Sequence, residues 1–265
     1  MRPLTDFPLA ERRGAQALLC DLDDTLTTEG SLAPETYQAL ARLKAAGLIV
    51  AVVTGRPAGW CDLISRLWPV DAAVGENGAF YFRRDERTRA IRRVYRDDVR
   101  ARAEHRRSLD ELAREILAKV PGAALSTDQP YRETDLAIDY REQVAPLPRA
   151  DVDYIAALIE AAGGETMISS IHIHARFSKV DKMTMAGRLL AEEFALDVAA
   201  GAERVLFVGD STNDAAMFSG LPNTIGVANV AEIVDRLPRP PRYVTRGHSG
   251  AGFVELAEAI LEARA

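Results

Sequence analysis

Two hydrophobic textures share this chain. In the first, short uninterrupted apolar runs at 17–20, 48–53, 72–74, 205–209 and 224–227 are separated by stretches with helical spacing. A continuous β-branched run such as 48–53 is the pattern of a strand covered on both faces. Between the runs, Pro34 opens a helix that carries Tyr37, Leu40 and Leu43 on one face and closes at Gly47. A second helix over 59–68 is stopped by Pro69. Strand–helix–strand repetition of this kind predicts a parallel α/β sheet. The same texture returns late in the chain, with a helix over 182–194, another from Asn213 and a closing helix over 252–263.

From about residue 79 the texture changes. Segments 80–82 and 92–95 predict a β-hairpin around a charged turn. Ser108 and Glu111 have the spacing of a capping box and predict a helix from there to Val120. Short strands at 123–126, 135–140, 166–171 and 172–177, with a helix over 151–162, complete a block with α+β character. The simplest organisation is one α/β core, residues 1–83 and 179–265, interrupted by an α+β insertion at 84–178.

Composition narrows the class. The chain has 265 residues, 48% of them hydrophobic and 27% charged, which excludes wholesale disorder and supplies a large core. The apolar runs are far shorter than a bilayer span, and the first residues carry acids without an apolar signal core. Two cysteines, Cys20 and Cys61, make no disulfide framework. A soluble cytoplasmic protein without membrane or nucleic-acid partners is the expectation. The net charge of −6 conceals a local reversal, with eleven arginines against five acids over 83–107. That stretch is expected to be a solvated hairpin and helix, or a field that draws anionic substrates.

Candidate chemistry sits where strands end. In open α/β sheets ligands bind beyond the carboxyl ends of the strands. There the chain places Asp21-Leu22-Asp23-Asp24-Thr25, Thr54-Gly55-Arg56 and Asp210-Ser211-Thr212-Asn213-Asp214. Several carboxylates in one site need a cation, or protons, to offset their repulsion, and oxygen-only ligands favour a hard cation such as Mg²⁺. A hydroxyl, glycine amides and a lysine nearby suit a phosphoryl group, so the expected chemistry is Mg²⁺-assisted phosphoryl transfer. Asp21 and Asp23 lie two apart and can approach one phosphorus from complementary directions, one ionised and one cycling a proton. His172 and His174, also two apart, are expected on a half-exposed sheet face.

These segments resemble the motifs of the haloacid dehalogenase superfamily. Residues 21–25 resemble its DxDxT motif, 52–57 its hydrophobic run ending in threonine, and 208–218 its GDxxND motif. Residues 180–190 resemble the lysine-opened helix, and 73–80 the Asn-Gly-Ala turn that leads into a large cap. The resemblance is to Cof-type and sucrose-phosphatase-like sugar phosphatases with a C2-type cap. It implies a Rossmann-like core and a cap over 84–178. It implies Asp21 as the nucleophile that forms an aspartyl-phosphate, and Asp23 as acid and then base. Mg²⁺ would be held by Asp21, the Asp23 carbonyl and Asp210, with Asp214 and Asn213 in support. Thr54 and Gly55 would bind phosphoryl oxygens and Lys182 would neutralise charge, with Lys179 as the alternative lysine. Arg56 and Asn77 are further substrate-binding candidates. The implied substrate is a small phosphorylated metabolite, a sugar phosphate first. A phosphomannomutase-like mutase and a non-catalytic sugar-phosphate sensor are the alternatives.

Overall fold

The computed structural model describes residues 1–169 and 171–265. Ser170, inside the segment expected as a strand at 166–171, lies outside the described residues. The strands are β1 (Arg2–Pro3), β2 (Ala17–Cys20), β3 (Ile49–Val53), β4 (Ala72–Gly75), β5 (Phe80–Arg84), β6 (Ile91–Tyr95), β7 (Ala124–Leu125), β8 (Leu136–Asp139), β9 (Glu165–Ile168), β10 (His172–Arg176), β11 (Val205–Gly209), β12 (Asn223–Gly226) and β13 (Tyr243–Val244). The helices are α1 (Leu9–Gly14), α2 (Pro34–Ala45), α3 (Ala58–Leu67), α4 (Val99–Lys119), α5 (Arg149–Ala161), α6 (Lys182–Phe194), α7 (Val198–Gly201), α8 (Ala215–Gly220) and α9 (Ser249–Arg264).

Among the described residues one sheet has the order β1-β13-β12-β11-β2-β3-β4-β5-β6. It is parallel from β1 to β4, and β5 and β6 close it in antiparallel fashion. Both faces are buried, and the period-2 alternation of the strands sorts their side chains between them. Leu18, Cys20, Val50, Val52, Leu206 and Val208 pack with Leu40, Ile64, Phe253 and Leu256 of α2, α3 and α9. Ala17, Leu19, Ala51, Val53, Val205 and Phe207 pack with Met185, Leu189, Met217 and Phe218 of α6 and α8. The continuous apolar runs are therefore strands sandwiched between helices.

A second, antiparallel sheet has the order β7-β8-β10-β9, and α4 and α5 pack on it. Its apolar core is separate, built from Leu109, Leu112, Ile116, Leu136, Ile138, Ile155, Ile159 and Ile173.

Three expectations change. Strand β6, placed by the sequence in the insertion, is hydrogen-bonded to β5 in the large sheet. Helix α4 begins at Val99, nine residues before Ser108, because the Asp98 carboxylate caps it by accepting from the Ala101 N–H at 2.8 Å. Residues 99–107 then continue as helix, with Arg100–Glu104 and Arg106–Asp110 pairs one turn apart. His172 and His174 are buried, not half-exposed, because each has a carboxylate partner: Glu142 at 2.8 Å and Asp135 at 2.9 Å.

Candidate active site

Three adjacent parallel strands, β11, β2 and β3, aim their carboxyl ends at one place. Pairing continues one step beyond β2, since the Asp21 N–H donates to the Val208 carbonyl at 2.9 Å. Leu22 turns into the core, which leaves the Asp21 and Asp23 side chains on the side away from it. After β3, Thr54 is fully buried; its hydroxyl oxygen accepts from the Arg56 N–H at 3.0 Å. Gly55 leaves room for Asn77, whose amide atoms a Cβ would meet at 3.1 Å. Asn77 occupies a left-handed turn at φ +57°, and its amide oxygen accepts from Asn213 at 3.4 Å. After β11, the Asp214 carboxylate folds back to accept from the backbone N–H groups of Asp210 and Ser211 at 3.1 and 3.2 Å.

Lys182 ties these loops together. Asp181 caps α6, accepting from the Thr184 N–H at 2.8 Å, so Lys182 is the first helical residue. Its Nζ donates to Asp21 Oδ1 at 2.6 Å, Asp214 Oδ1 at 2.7 Å and Asn213 Oδ1 at 3.1 Å. Lys179, the alternative, is exposed.

Asp21, Asp210 and Asp214 each offer a carboxylate oxygen, all within 4.8 Å of one another. Burial, then Asp214 beside it, holds the Asp21 carboxyl well above the usual carboxylate range. Asp210 is pushed up to about 7 by burial and by Asp214. Burial alone would lower Lys182, but Asp21 and Asp214 hold it above the usual lysine range. Three carboxylates against one ammonium leave a surplus of negative charge, and every ligand atom on offer is oxygen. This donor set fits a hard divalent cation such as Mg²⁺. Asp210 is oriented by two donors, Thr25 Oγ1 at 3.0 Å and Asn229 Nδ2 at 2.8 Å.

The sequence pattern of the haloacid dehalogenase-like hydrolases matches residues 18–110. A phosphoglycolate phosphatase of Pyrobaculum neutrophilum is 30% identical over 251 residues, covering 94% of this chain and 96% of that one. The chain belongs to the haloacid dehalogenase-like hydrolases. This hydrolase is a phosphatase. Its fold is shared with a solved Thermoplasma acidophilum protein (TM-score 0.72, 18% identity, 93% of this chain and 98% of that one). It is also shared with the sucrose-phosphatase of Synechocystis sp. PCC6803 (TM-score 0.63, 15% identity, 93% and 98%).

Arg56, singled out from the sequence as a contact for substrate or a partner for an acid, takes the acid, and the hydrolase holds further residues around it that the sequence did not announce. Arg56 turns its guanidinium onto the Asp23 carboxylate, with Nε and Nη2 both at 2.9 Å, and stacks over Trp60. Its Nη1 lies 3.6 Å from Asp128, in the loop between β7 and β8. In the same loop Arg132, fully enclosed, pairs with Asp128 and Asp135 and donates to the Gly55 carbonyl at 3.2 Å. Glu76, buried in a left-handed turn at φ +44°, accepts from the N–H groups of Ala58, Glu133 and Thr134. Burial, then Asp135, pushes its carboxyl up to about 7. Thus the second sheet meets the first largely through charged and hydrogen-bonded contacts at the Thr54 loop. Asn229 and Thr25 on Asp210 were equally unannounced; Thr25 had a signal, its place in the 21–25 motif.

Proposed function

We propose that the enzyme is a Mg²⁺-dependent phosphomonoesterase that acts through an aspartyl-phosphate on Asp21. Asp21 and Asp210 would hold the cation with the Asp23 carbonyl, supported by Asp214; the ion's contribution is to offset charge on the phosphoryl oxygens. In the first half-reaction an Asp21 oxygen bonds to phosphorus as the phosphorus–oxygen bond to the alcohol breaks, and Asp23 gives the departing oxygen its proton. In the second, Asp23 takes a proton from water, the water oxygen bonds to phosphorus, and inorganic phosphate leaves with Asp21 restored. Lys182 neutralises Asp21 and the transferred group, Thr54 and Gly55 hold phosphoryl oxygens, and Arg56 fixes the direction of Asp23. The α+β unit between β6 and α6 serves as a cap that limits access to the cleft.

The observation that carries this reading is the Lys182 ammonium 2.6 Å from Asp21 Oδ1 and 2.7 Å from Asp214 Oδ1, within the cluster of three carboxylates that also includes Asp210. A cavity of about 200 Å³ beside Lys182 and Asn213 opens between the two sheets. The phosphoglycolate phosphatase among the relatives favours a two-carbon phosphate ester over the hexose phosphate expected from the sequence. The test is phosphate release from a panel of esters before and after metal chelation. Release that stops on chelation, returns with Mg²⁺ and is abolished in Asp21→Asn supports the mechanism. An Asp21→Asn variant with wild-type turnover overturns it, and an isomerised ester in place of free phosphate indicates a mutase.

A further inference from the structure

We infer that Asp128, from the loop between β7 and β8, is a positioning residue for proton transfer at Asp23. It acts through Arg56, so the aim of the acid depends on a residue of the second sheet. This rests on Asp23 serving as the acid and then the base of the reaction. The Asp23 side chain is 40% exposed, and a carboxylate in that setting turns freely unless something holds it. Arg56 holds it with Nε and Nη2, both at 2.9 Å. The guanidinium is gripped on its remaining sides as well. Its face lies over Trp60 at 4.6 Å, and its Nη1 is 3.6 Å from Asp128 Oδ2.

Asp128 is itself fixed. It is buried, Arg132 grips both its oxygens at 2.9 and 3.0 Å, and the Ser126 hydroxyl donates to Oδ1 at 2.8 Å. Burial works against its charge, but Arg132 holds the carboxyl below the usual carboxylate range. The same loop meets the connection between β3 and α3 at three points. Arg132 donates to the Gly55 carbonyl at 3.2 Å, and Asp128 faces Arg56. Tyr131 lies against Gly59, where an added Cβ would come within 2.9 Å of it. Exposed ion pairs contribute little, but the Arg56 and Asp128 side chains are only 16% and 10% exposed. A separation of 3.6 Å is longer than a hydrogen bond, so the charge of Asp128 acts on Arg56 more than its exact shape does. Asparagine at this position keeps an oxygen for Ser126 and Arg132 and removes that charge.

The test compares p-nitrophenyl phosphate with phenyl phosphate on the full chain with Mg²⁺. The two esters have similar shapes, and the poorer leaving group, phenol, depends more on a proton from Asp23. Asp128→Asn is expected to lower kcat/KM about tenfold on phenyl phosphate and less than about threefold on p-nitrophenyl phosphate. Asp128→Glu, which keeps the charge, is expected to hold the ratio of the two esters within about threefold of wild type. A role confined to bracing the loop would lower both esters alike. In an Arg56→Gln background, Asp128→Asn is expected to leave the ratio unmoved, since the route to Asp23 is already cut. Should the asparagine variant fail to fold, Asp128→Ser removes the same charge and is read by the same ratio. Equal losses on both esters, a ratio that moves again in the Arg56→Gln background, or a glutamate variant as shifted as the asparagine one overturns the assignment. Failure of the underlying reading shows separately, because Asp23→Asn would then keep the wild-type kcat/KM on phenyl phosphate.

Discussion

Lys182 shows what a single residue does here. With its ammonium gone, Asp21 and Asp214 face each other buried and unpaired, a situation that costs about 3–5 kcal/mol. Lys182→Met is expected to lower kcat on an aryl phosphate about a thousandfold and to shift the denaturation midpoint downward, both read on the same preparation. Arg56 acts by direction: Arg56→Ala frees the Asp23 carboxylate and is expected to lower kcat about tenfold or more, with a larger loss on alkyl than on aryl esters, since the alkyl leaving group needs the proton more. Glu76 gives a pH signature. Its carboxyl is raised in the folded state, so its contribution is greatest below about pH 4.5 and is lost as pH rises to about 7. Asp135 is lowered to about 2 by Arg132, against burial, so its contribution is present above the ordinary carboxylate range and lost as pH falls toward 2. Urea unfolding between pH 4 and 8 should show stability declining through the Glu76 window, and a shallower decline in Glu76→Gln. Asp21, Asp210 and Lys182 were legible in the sequence because each stands at a fixed offset from a strand end or helix start. Glu76 and Arg132 were not, since their meaning comes from partners brought near by the fold, as with Glu76 and Thr134.

At the scale of elements, continuous apolar runs bounded by turns made the large sheet readable, along with the starts of α2 and α6. The misreadings came where two local signals compete. Ser108 and Glu111 imitate a helix start, but Asp98 satisfies the first N–H groups earlier and the chain never leaves the helix; the Ser108 hydroxyl lies within reach of the Glu104 carbonyl one turn back. The β5–β6 hairpin joins the core sheet because Phe80 and Phe82 are buried against Ile64 and Ala79 while Tyr95 packs on them. One turn couples sheet and helix: Gly78, at φ +105°, lies so close to the Asp181 carbonyl that a Cβ there would collide with it. Gly78→Ala is expected to push on the residue that caps α6, and so to displace Lys182. Kinetics should show a fall in kcat alongside a lower melting temperature. Gly30→Ala, at φ +74° with open space around it, is the control: about 1 kcal/mol of strain and no effect on turnover.

Across the whole molecule, the two sheets keep separate apolar cores, and the Arg132 cluster, Glu76 and the Tyr95–Glu133 hydrogen bond are among the contacts that join them. Arg132→Leu, which strands Asp128 and Asp135 in a buried setting, is expected to cost about 3–5 kcal/mol in denaturant titration. The order of the strands has a further consequence for biosynthesis. Strand β2, wholly buried and apolar, has β3 on one side, made within a few dozen residues, and β11 on the other, which starts only at Val205. While the ribosome makes everything in between, one flank of that strand offers unpaired backbone to any neighbouring chain. The nascent protein thus carries a buried-strand segment unguarded through most of its own synthesis, and a chain truncated before residue 205 is expected to aggregate, which light scattering of that fragment checks.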